Sequence, residues 1–386
     1  MDTSKIKLDG AQRACTTEDT LARMKPWLEA AGITRISEIT GLDRTGIPVA
    51  QCVRPDAISL CVDSGKGTTS SAALCSAMME GFERHVGESA GFDSIYAPEC
   101  NLTGAESRFQ LIKGGFHNPK TPIDWYPMTG IGSKSIHLVP VACIKMIPTQ
   151  PSYPLFQSRF CSNSNGLSSG NTLEEAIAGG LYEVIERDQV ACAFSLGIKA
   201  RRVDLDSITS NTIGSLVYKL RSNGIMPVIL DCTLDLGIPT YICYIYDSER
   251  GTGIYKGYAS HLNPEVAQCR AICEAVQGRV VFISGSRDDI PHRRFVKNKT
   301  SDNAESMEYF LSLDNLVSSN EHEDISTDSF SKDIDKVLNI LDKNKIPEPL
   351  MHEFNHPYPC SVVKIAIPTL EGYFNEHGQI GKRGTK

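Results

Sequence analysis

The sequence predicts an α+β fold of mixed β-sheets with packed helices, built around an internal duplication. Three observations carry that expectation. Apolar, β-branched runs and helical periodicities mix along the chain without strict alternation, which disfavours a doubly wound parallel fold. The signature Glu-x-x-Glu-Arg occurs twice, in "MMEGFERH" at 78–85 and "LYEVIERD" at 181–188, each inside a long helical pattern. The 386 residues, 41% hydrophobic and 22% charged, supply enough core to fold without staples.

The elements follow in order. Residues 17–32 read as a capped helix, with Thr16 or Thr17 as N-cap and Gly32 just past its end. Strand-like runs come next at 48–54 and 58–63, and a Gly-rich turn, "SGKGTT", leads into a helix over 69–88. The stretch 89–135, rich in Gly, Pro, Ser and aromatics, reads as an irregular excursion. Apolar runs at 137–146, 226–232, 239–246 and 359–367 read as strands by their β-branched and aromatic content. Helical patterns recur at 172–192, 207–223, 263–284 and 330–343, while 297–330 is polar and reads as a surface segment or weakly ordered connection.

Charge and composition narrow the function classes. The formal net charge of -7 gives no general affinity for nucleic acid or anionic membranes, so an anionic ligand has to be held by local groups. No apolar run approaches the roughly 20 residues that span a bilayer. The opening "MDTSKIKLDG" lacks a basic-then-apolar signal pattern. The 13 cysteines are scattered, with no Cys-x-x-Cys pair, and read as reduced thiols of a cytoplasmic protein.

The duplication extends beyond the signature. At a constant offset of 103 positions (170 minus 67), Gly67 falls on Gly170, Thr69 on Thr172, Ala73 on Ala176, Glu80 on Glu183, Glu83 on Glu186 and Arg84 on Arg187. On each helix the two glutamates lie three apart, on one face. Glu175 projects to the same side two turns earlier, and Ala176, Ile177, Leu181, Val184 and Ile185 form the opposing core stripe. Like charges so placed are unfavourable unless offset, and a divalent cation with oxygen ligands, Mg²⁺, offsets them while sharing its shell with phosphate and water. The competing reading is a solvated acidic face paired to Arg84 and Arg187. A third helix, "NPEVAQCRAICEAVQGR", aligns Arg270, Glu274 and Gln277, a set that could meet phosphate, metal and base; an i,i+4 salt bridge explains Arg270 and Glu274 nearly as well.

Together, "SGKGTTSSAALCSAMMEGFER", "SNGLSSGNTLEEAIAGGLYEVIERD" and "RAICEAVQGR" resemble the YcaO family of ATP-dependent peptide backbone-modifying enzymes. The resemblance implies a YcaO-like fold, a single domain over 1–386 with its core at 12–367, and an ATP cleft lined by the helices at 69–88, 172–192 and 263–284. It implies that Glu80, Glu83, Glu175, Glu183, Glu186 and Glu274 hold Mg²⁺. It also implies that ATP is met by Arg13, Thr20, Ser76, Glu80, Asn171, Arg187, Arg270 and Gln277, Arg13 and Thr20 coming from "RACTTEDTLAR".

The chemistry implied is activation of a peptide amide. A nucleophile adds to the carbonyl, ATP phosphorylates the resulting oxygen, and phosphate leaves. External sulfide gives a thioamide; a neighbouring Cys, Ser or Thr gives an azoline, as in a cyclodehydratase. The chain ends "EHGQIGKRGTK" where azoline-forming members often carry Pro-x-Pro-x-Pro, and it reads as lacking a fused substrate-binding domain. Both points lean towards stand-alone, thioamide-forming members with a TfuA-like partner. An E1-like or other substrate-binding partner, and a homodimer, are further expectations from the resemblance. A non-catalytic nucleotide-binding accessory subunit is the remaining alternative.

Two local motifs are set aside. "GKGTT" at 65–69 lacks the Walker spacing, and Lys66 reads as a solvated turn lysine, with approach to a phosphate as the alternative. "HEFNH" at 352–356 matches the zinc-protease pattern, but Pro349 and Pro357 bracket it too tightly for the helix that chemistry needs.

Overall fold

A computed structural model describes residues 4–146, 160–195, 199–247, 252–287, 289–290, 302–372 and 379–385. The chain divides into two compact units. One, called here the amino-terminal unit, comprises Lys5–Gly81 and Lys199–Ser326; the other, the carboxy-terminal unit, comprises Met1–Ser4, Phe82–Ile198 and Thr327–Lys386.

The amino-terminal unit opens with a hairpin of β1 (Ile6–Leu8) and β2 (Ala11–Arg13). Helix α1 (Thr17–Met24) is capped by Thr16, whose hydroxyl accepts from Asp19 N at 3.1 Å. The expected helix to residue 32 is shorter than its pattern. Pro26 removes an N–H donor, and the chain tightens into two 3₁₀ turns before Gly32 leaves in the left-handed region at φ 67°. Strands β3 (Arg35–Glu38), β4 (Val49–Val53) and β5 (Val62–Lys66) form an antiparallel sheet.

The sequence expectation of a strand at 58–63 followed by a turn from Ser64 is corrected here. Strand β5 begins at Val62 and runs through Gly65 to Lys66. A Cβ on Gly65 would lie 2.0 Å from Ala77 N and 2.3 Å from Ala73 O, so this glycine serves close approach of strand to helix, not a turn. Helix α2 (Ser70–Ser89) follows, and the division between the units falls within it, after Gly81.

The second sheet of this unit has the order β13-β12-β11-β10-β14. Its members are β10 (Arg201–Asp204), β11 (Ile225–Asp231), β12 (Thr240–Asp247), β13 (Thr252–Ser260) and β14 (Leu316–Ser318). The pairings are antiparallel except β10 with β14, which is parallel. Helices α4 (Asn211–Ser222) and α5 (Pro264–Ser284) contribute Leu220, Ile272, Val276 and Val280 to a core shared with Ile229 and Cys243. The polar stretch 297–330 does more than cover the surface: its described part holds α6 (Asp302–Leu311) and the edge strand β14. Phe310 of α6 stacks on Tyr244 with ring centroids 4.3 Å apart, and Val317 is buried. Local composition hid these few apolar anchors among Ser, Asp and Glu.

The carboxy-terminal unit is built on a sheet of order β6-β7-β15-β16-β9, with β8 paired to β7. The strands are β6 (Ile95–Pro98), β7 (Pro122–Gly130), β8 (Ile136–Pro140), β9 (Leu167–Gly170), β15 (Leu350–Glu353) and β16 (Ser361–Ala366). Thus the excursion at 89–135 contains two strands, around the buried Trp125. Helix α3 (Leu173–Ser195) buries Ala176, Ile177, Leu181, Val184 and Ile185, the stripe its periodicity predicts. Gly180 lets it close on the sheet, since a Cβ there would lie 2.6 Å from Ile365 Cγ1. Helix α7 (Phe330–Lys343) is tied to α3 by the Tyr182 hydroxyl, which donates to Asp333 Oδ2 at 3.1 Å.

The duplicated segments share their structure as well as their letters. Strand β5 leads into α2 and strand β9 into α3, with helix starts at Ser70 and Leu173, again at the same offset. Thr69 Oγ1 accepts from Ala72 N at 3.2 Å. Thr172 Oγ1 accepts from Glu175 N at the same 3.2 Å. Each threonine satisfies one otherwise orphaned helical N–H.

Candidate functional site

In the carboxy-terminal unit, α3 carries Glu175, Glu183, Glu186 and Arg187. Glu175 and Glu186 are buried, at 5% and 7% exposure, so this is no solvated acidic face. Arg187 reaches back along the helix, with Nη1 at 3.3 Å from Glu186 Oε1 and Nη2 at 3.7 Å from Glu183 Oε1. Glu83, on the part of α2 in this unit, accepts from Ser169 Oγ at 3.0 Å through Oε2. Glu175 has local work as well. Its Oε2 accepts from both N and Nδ2 of Asn171, at 2.9 and 3.0 Å, in a variant of the capping box with Thr172. Asn171 and Glu175 are therefore brought together, in the service of the helix start.

A residue that the motif reading missed lies beneath these glutamates. Lys364 on β16 is 2% exposed and donates from Nζ to Asn163 O at 2.8 Å. Burial pushes its ammonium down to about 8, while the charges of Glu183, the Cys143 thiol and Glu83 work the other way. The signal was present in "SVVKIAIP": a lone lysine in an apolar strand is buried against something that tolerates it.

In the amino-terminal unit, Ser76 and Glu80 sit one turn apart on α2, both half-buried. Glu274 on α5 is held by Lys66, whose Nζ lies 2.6 Å from Oε2. Lys66 is thus not a solvated turn residue but the last residue of β5, its side chain only 22% exposed. Gln277, expected to face a base, donates from Nε2 to Ser64 O at 2.5 Å and ties α5 to β5. Arg13 and Arg270 lie near the buried His261. Its imidazole is pushed well below its ordinary range by burial, with Arg270, Lys5 and Arg13 adding to the shift. Thr20 is 2% exposed, and its hydroxyl donates to Thr16 O at 3.0 Å within its own helix.

The remaining signals resolve as structure. "HEFNH" begins on strand β15, so its two histidines do not share a helix face. His352 packs against Phe92, Tyr126 and Phe354, and burial lowers its imidazole to about 4. None of the thirteen cysteines is in a disulfide. Among the described residues, no helix is long and apolar enough to cross a membrane.

Does this donor set suit Mg²⁺? Among the described residues, no group of three His, Cys, Asp or Glu side chains could hold an ion by protein ligands alone. Mg²⁺ is ordinarily bound through one or two carboxylates with phosphate oxygens and water, and the paired glutamates are hard oxygen donors of that kind. The residues fit it.

A family model described as YcaO cyclodehydratase, ATP- and Mg²⁺-binding, matches residues 64–371. An uncharacterized protein of Methanothermobacter thermautotrophicus is 32% identical over 96% of this chain and 98% of its own. An uncharacterized protein in the tfuA 3′ region of Rhizobium leguminosarum bv. trifolii is 30% identical over 97% of this chain and 92% of its own. Among solved structures, the YcaO protein of Methanopyrus kandleri bound with AMPPCP and Mg²⁺ has a TM-score of 0.76 at 20% identity, over 95% and 94% of the two chains. A heterocyclase in complex with substrate and cofactor reaches 0.81 at 23% identity, over 97% of this chain and 56% of that one. At such identities the structures speak for the fold. The matched family model, the two full-length relatives and the duplicated capped helices with their paired glutamates place this chain in the YcaO family of ATP- and Mg²⁺-binding, cyclodehydratase-type proteins.

Proposed function

We propose that this chain activates a peptide backbone amide at the expense of ATP, and that the product is a thioamide made with an external sulfur donor and a TfuA-like partner. The observation that carries the choice of product is the Rhizobium relative, named for its place beside tfuA and matched over nearly the whole of both chains. In this reading Glu80, Glu83, Glu175, Glu183, Glu186 and Glu274 hold Mg²⁺. Arg13, Thr20, Ser76, Asn171, Arg187, Arg270 and Gln277, with Glu80, meet the nucleotide. When bound, Mg²⁺ orients the phosphates and offsets the negative charge that develops as phosphoryl transfer proceeds.

The chain's own residues supply rigidity and charge. Arg187, held by Glu183 and Glu186, presents a fixed cation towards phosphate. Ser169 fixes Glu83 so that the carboxylate does not need to be ordered when ligand arrives. Lys364 offsets part of the negative charge of Glu183 and Glu83 from beneath.

Azoline formation is the second reading, favoured by the cyclodehydratase family model and by the fold match to a heterocyclase. Mass spectrometry of a target peptide separates the two, since a thioamide exchanges one oxygen for sulfur and an azoline loses one water. ATP binding by calorimetry on wild type and Glu183→Gln tests the shared premise. Failure of the wild type to bind ATP in Mg²⁺ would remove both readings, and binding with no modified product in the presence of peptide and partner would favour an accessory role.

A further inference from the structure

We propose that Lys364 is a counter-cation built into the sheet between two glutamate helices, where it opposes metal arriving alone and favours nucleotide. The role rests on the ATP reading above but belongs to a strand residue outside the expected site. The residues involved all lie in the carboxy-terminal unit.

Strand register sets the position. On β16, Lys364 stands opposite Leu167 of β9 and Val362 opposite Ser169, so these four side chains share one face of the sheet. The carboxy-terminal half of α2 packs on that face. A Cβ on Gly87 would lie 3.0 Å from Leu167 Cδ2, and Ser169 Oγ donates to Glu83 Oε2 at 3.0 Å. Helix α3 covers the opposite face, where Cβ atoms on Gly179 and Gly180 would lie 2.5 Å from Ser168 Oγ and 2.6 Å from Ile365 Cγ1. Lys364 is therefore enclosed between the helices that carry Glu83 and Glu183.

Its bonding is unusual for a buried charge. Lys364 is 2% exposed, yet among the described residues its ammonium has one hydrogen bond, to the neutral Asn163 O at 2.8 Å, and no carboxylate pairs with it directly. Burial lowers its ordinary value to about 8, which leaves a cation at neutral pH, and Glu183, the Cys143 thiol and Glu83 act on it through space. The tie to Asn163 needs no charge, since a glutamine amide donates as well. A buried cation without a direct partner is costly unless a field of opposite sign offsets the cost. Glu183 and Glu83 supply that field.

The same field acts on ligands. Mg²⁺ approaching the carboxylates alone is repelled by Lys364, whereas nucleotide phosphates, repelled by the glutamates, are attracted by it. Neither effect needs contact, because a buried charge is screened far less than one in water. Metal and nucleotide together are thus favoured over metal alone.

The test is calorimetry on the full chain, with Mg²⁺ alone and, separately, with ATP while Mg²⁺ is chelated. Lys364→Gln keeps a donor for Asn163 and removes the charge. Expected are tighter binding of Mg²⁺ and weaker binding of ATP, each by about three- to thirtyfold, as for one unit charge withdrawn nearby in partly screened surroundings. Lys364→Arg should bind both close to wild type. A merely structural lysine would weaken both on removal or change neither. Either result in folded Lys364→Gln overturns the proposal and leaves the ATP reading standing. A second variant guards against loss of the fold: Cys143→Asp leaves the lysine in place and gives it a counter-ion. It should shift the two affinities in the same opposed directions, and parallel or absent shifts would refute the counter-cation. Wild type that binds no ATP with or without Mg²⁺ overturns the ATP reading and this one with it.

Discussion

Removing Arg383 should destabilise the carboxy-terminal unit through a carboxylate that directly follows Arg187. Asp188 has no exposed side-chain surface, while Arg383 is 14% exposed. The guanidinium donates from Nε to Asp188 Oδ1 at 2.9 Å and from Nη2 to Oδ2 at 2.8 Å. Glu371 N adds a donor to Oδ1 at 2.8 Å. Burial pushes the Asp188 carboxyl up, against the pull of Arg383 and the Glu371 amide. In Arg383→Met the buried charge keeps the Glu371 amide and the weak Cys192 thiol donor at 3.9 Å, and stranding one partner of a buried pair costs about 3–5 kcal/mol. Because Arg383 retains some solvent contact, the low end, about 3 kcal/mol, is expected. For a unit of this size that is a fall in Tm of roughly 6–12 °C. Asp188→Asn on top of Arg383→Met removes the charge and should recover most of the loss.

The pH dependence has a definite sign. Without Arg383 the native carboxyl rises further above the unfolded value of about 3.9. The folded state then holds a proton that the unfolded chain has released, so stability falls as pH rises through that window. The deficit of Arg383→Met should therefore be largest at neutral pH and shrink on acidification. Urea unfolding of the four variants of the cycle, followed by circular dichroism at several pH values, reads this directly. A single variant within about 0.5 kcal/mol of wild type, as for an ordinary surface change, or a deficit that grows in acid, would refute the buried-charge account.

Three further outcomes are expected. Thr69→Ala and Thr172→Ala should each cost about 1 kcal/mol in chemical denaturation, because equivalent caps at equivalent 3.2 Å contacts are lost; a large inequality would weaken the structural duplication. Gly65→Ala should lose at least about 3 kcal/mol or fail to fold, since its Cβ meets helix backbone and not a side chain that can turn away; near-wild-type melting would contradict the strand–helix contact. His352→Phe should remove a source of acid instability. With the native imidazole near 4 and the unfolded one near 6.5, wild-type stability falls as pH drops through that interval, and the variant's unfolding profile there should be flatter. The same variant should show no loss of metal-dependent peptidase activity, because His352 lies on a strand and not on the helix that chemistry needs.

Much of this protein is written locally. The stripe on α3, the start of α5 at Asn263 and Pro264, and α7 over 330–343 follow from periodicity and capping chemistry, which act within a few residues. The two Glu-x-x-Glu-Arg helices are legible for the same reason, and their constant offset carries the duplication. What failed locally did so where tertiary contact overrides composition. "SGK" looked like a turn until the packing of Gly65 on α2 made it a strand. Polar residues around Val317 concealed an edge strand whose stability comes from its parallel neighbour β10.

The division within the candidate site is sharper. Sequence alone determined which residue types stand on the helices of the candidate site, because acidic pairs three apart on a helix fix their own common face. Only the tertiary structure decided their partners. Lys66 meets Glu274 from 208 positions away, and Arg383 meets Asp188 from 195. Lys364 reaches Asn163 from 201. Each contact joins a charge to its counter-ion or acceptor between segments far apart in the chain, and burial makes that choice consequential. In water these charges would be nearly independent, whereas inside the fold an unpaired one costs several kcal/mol.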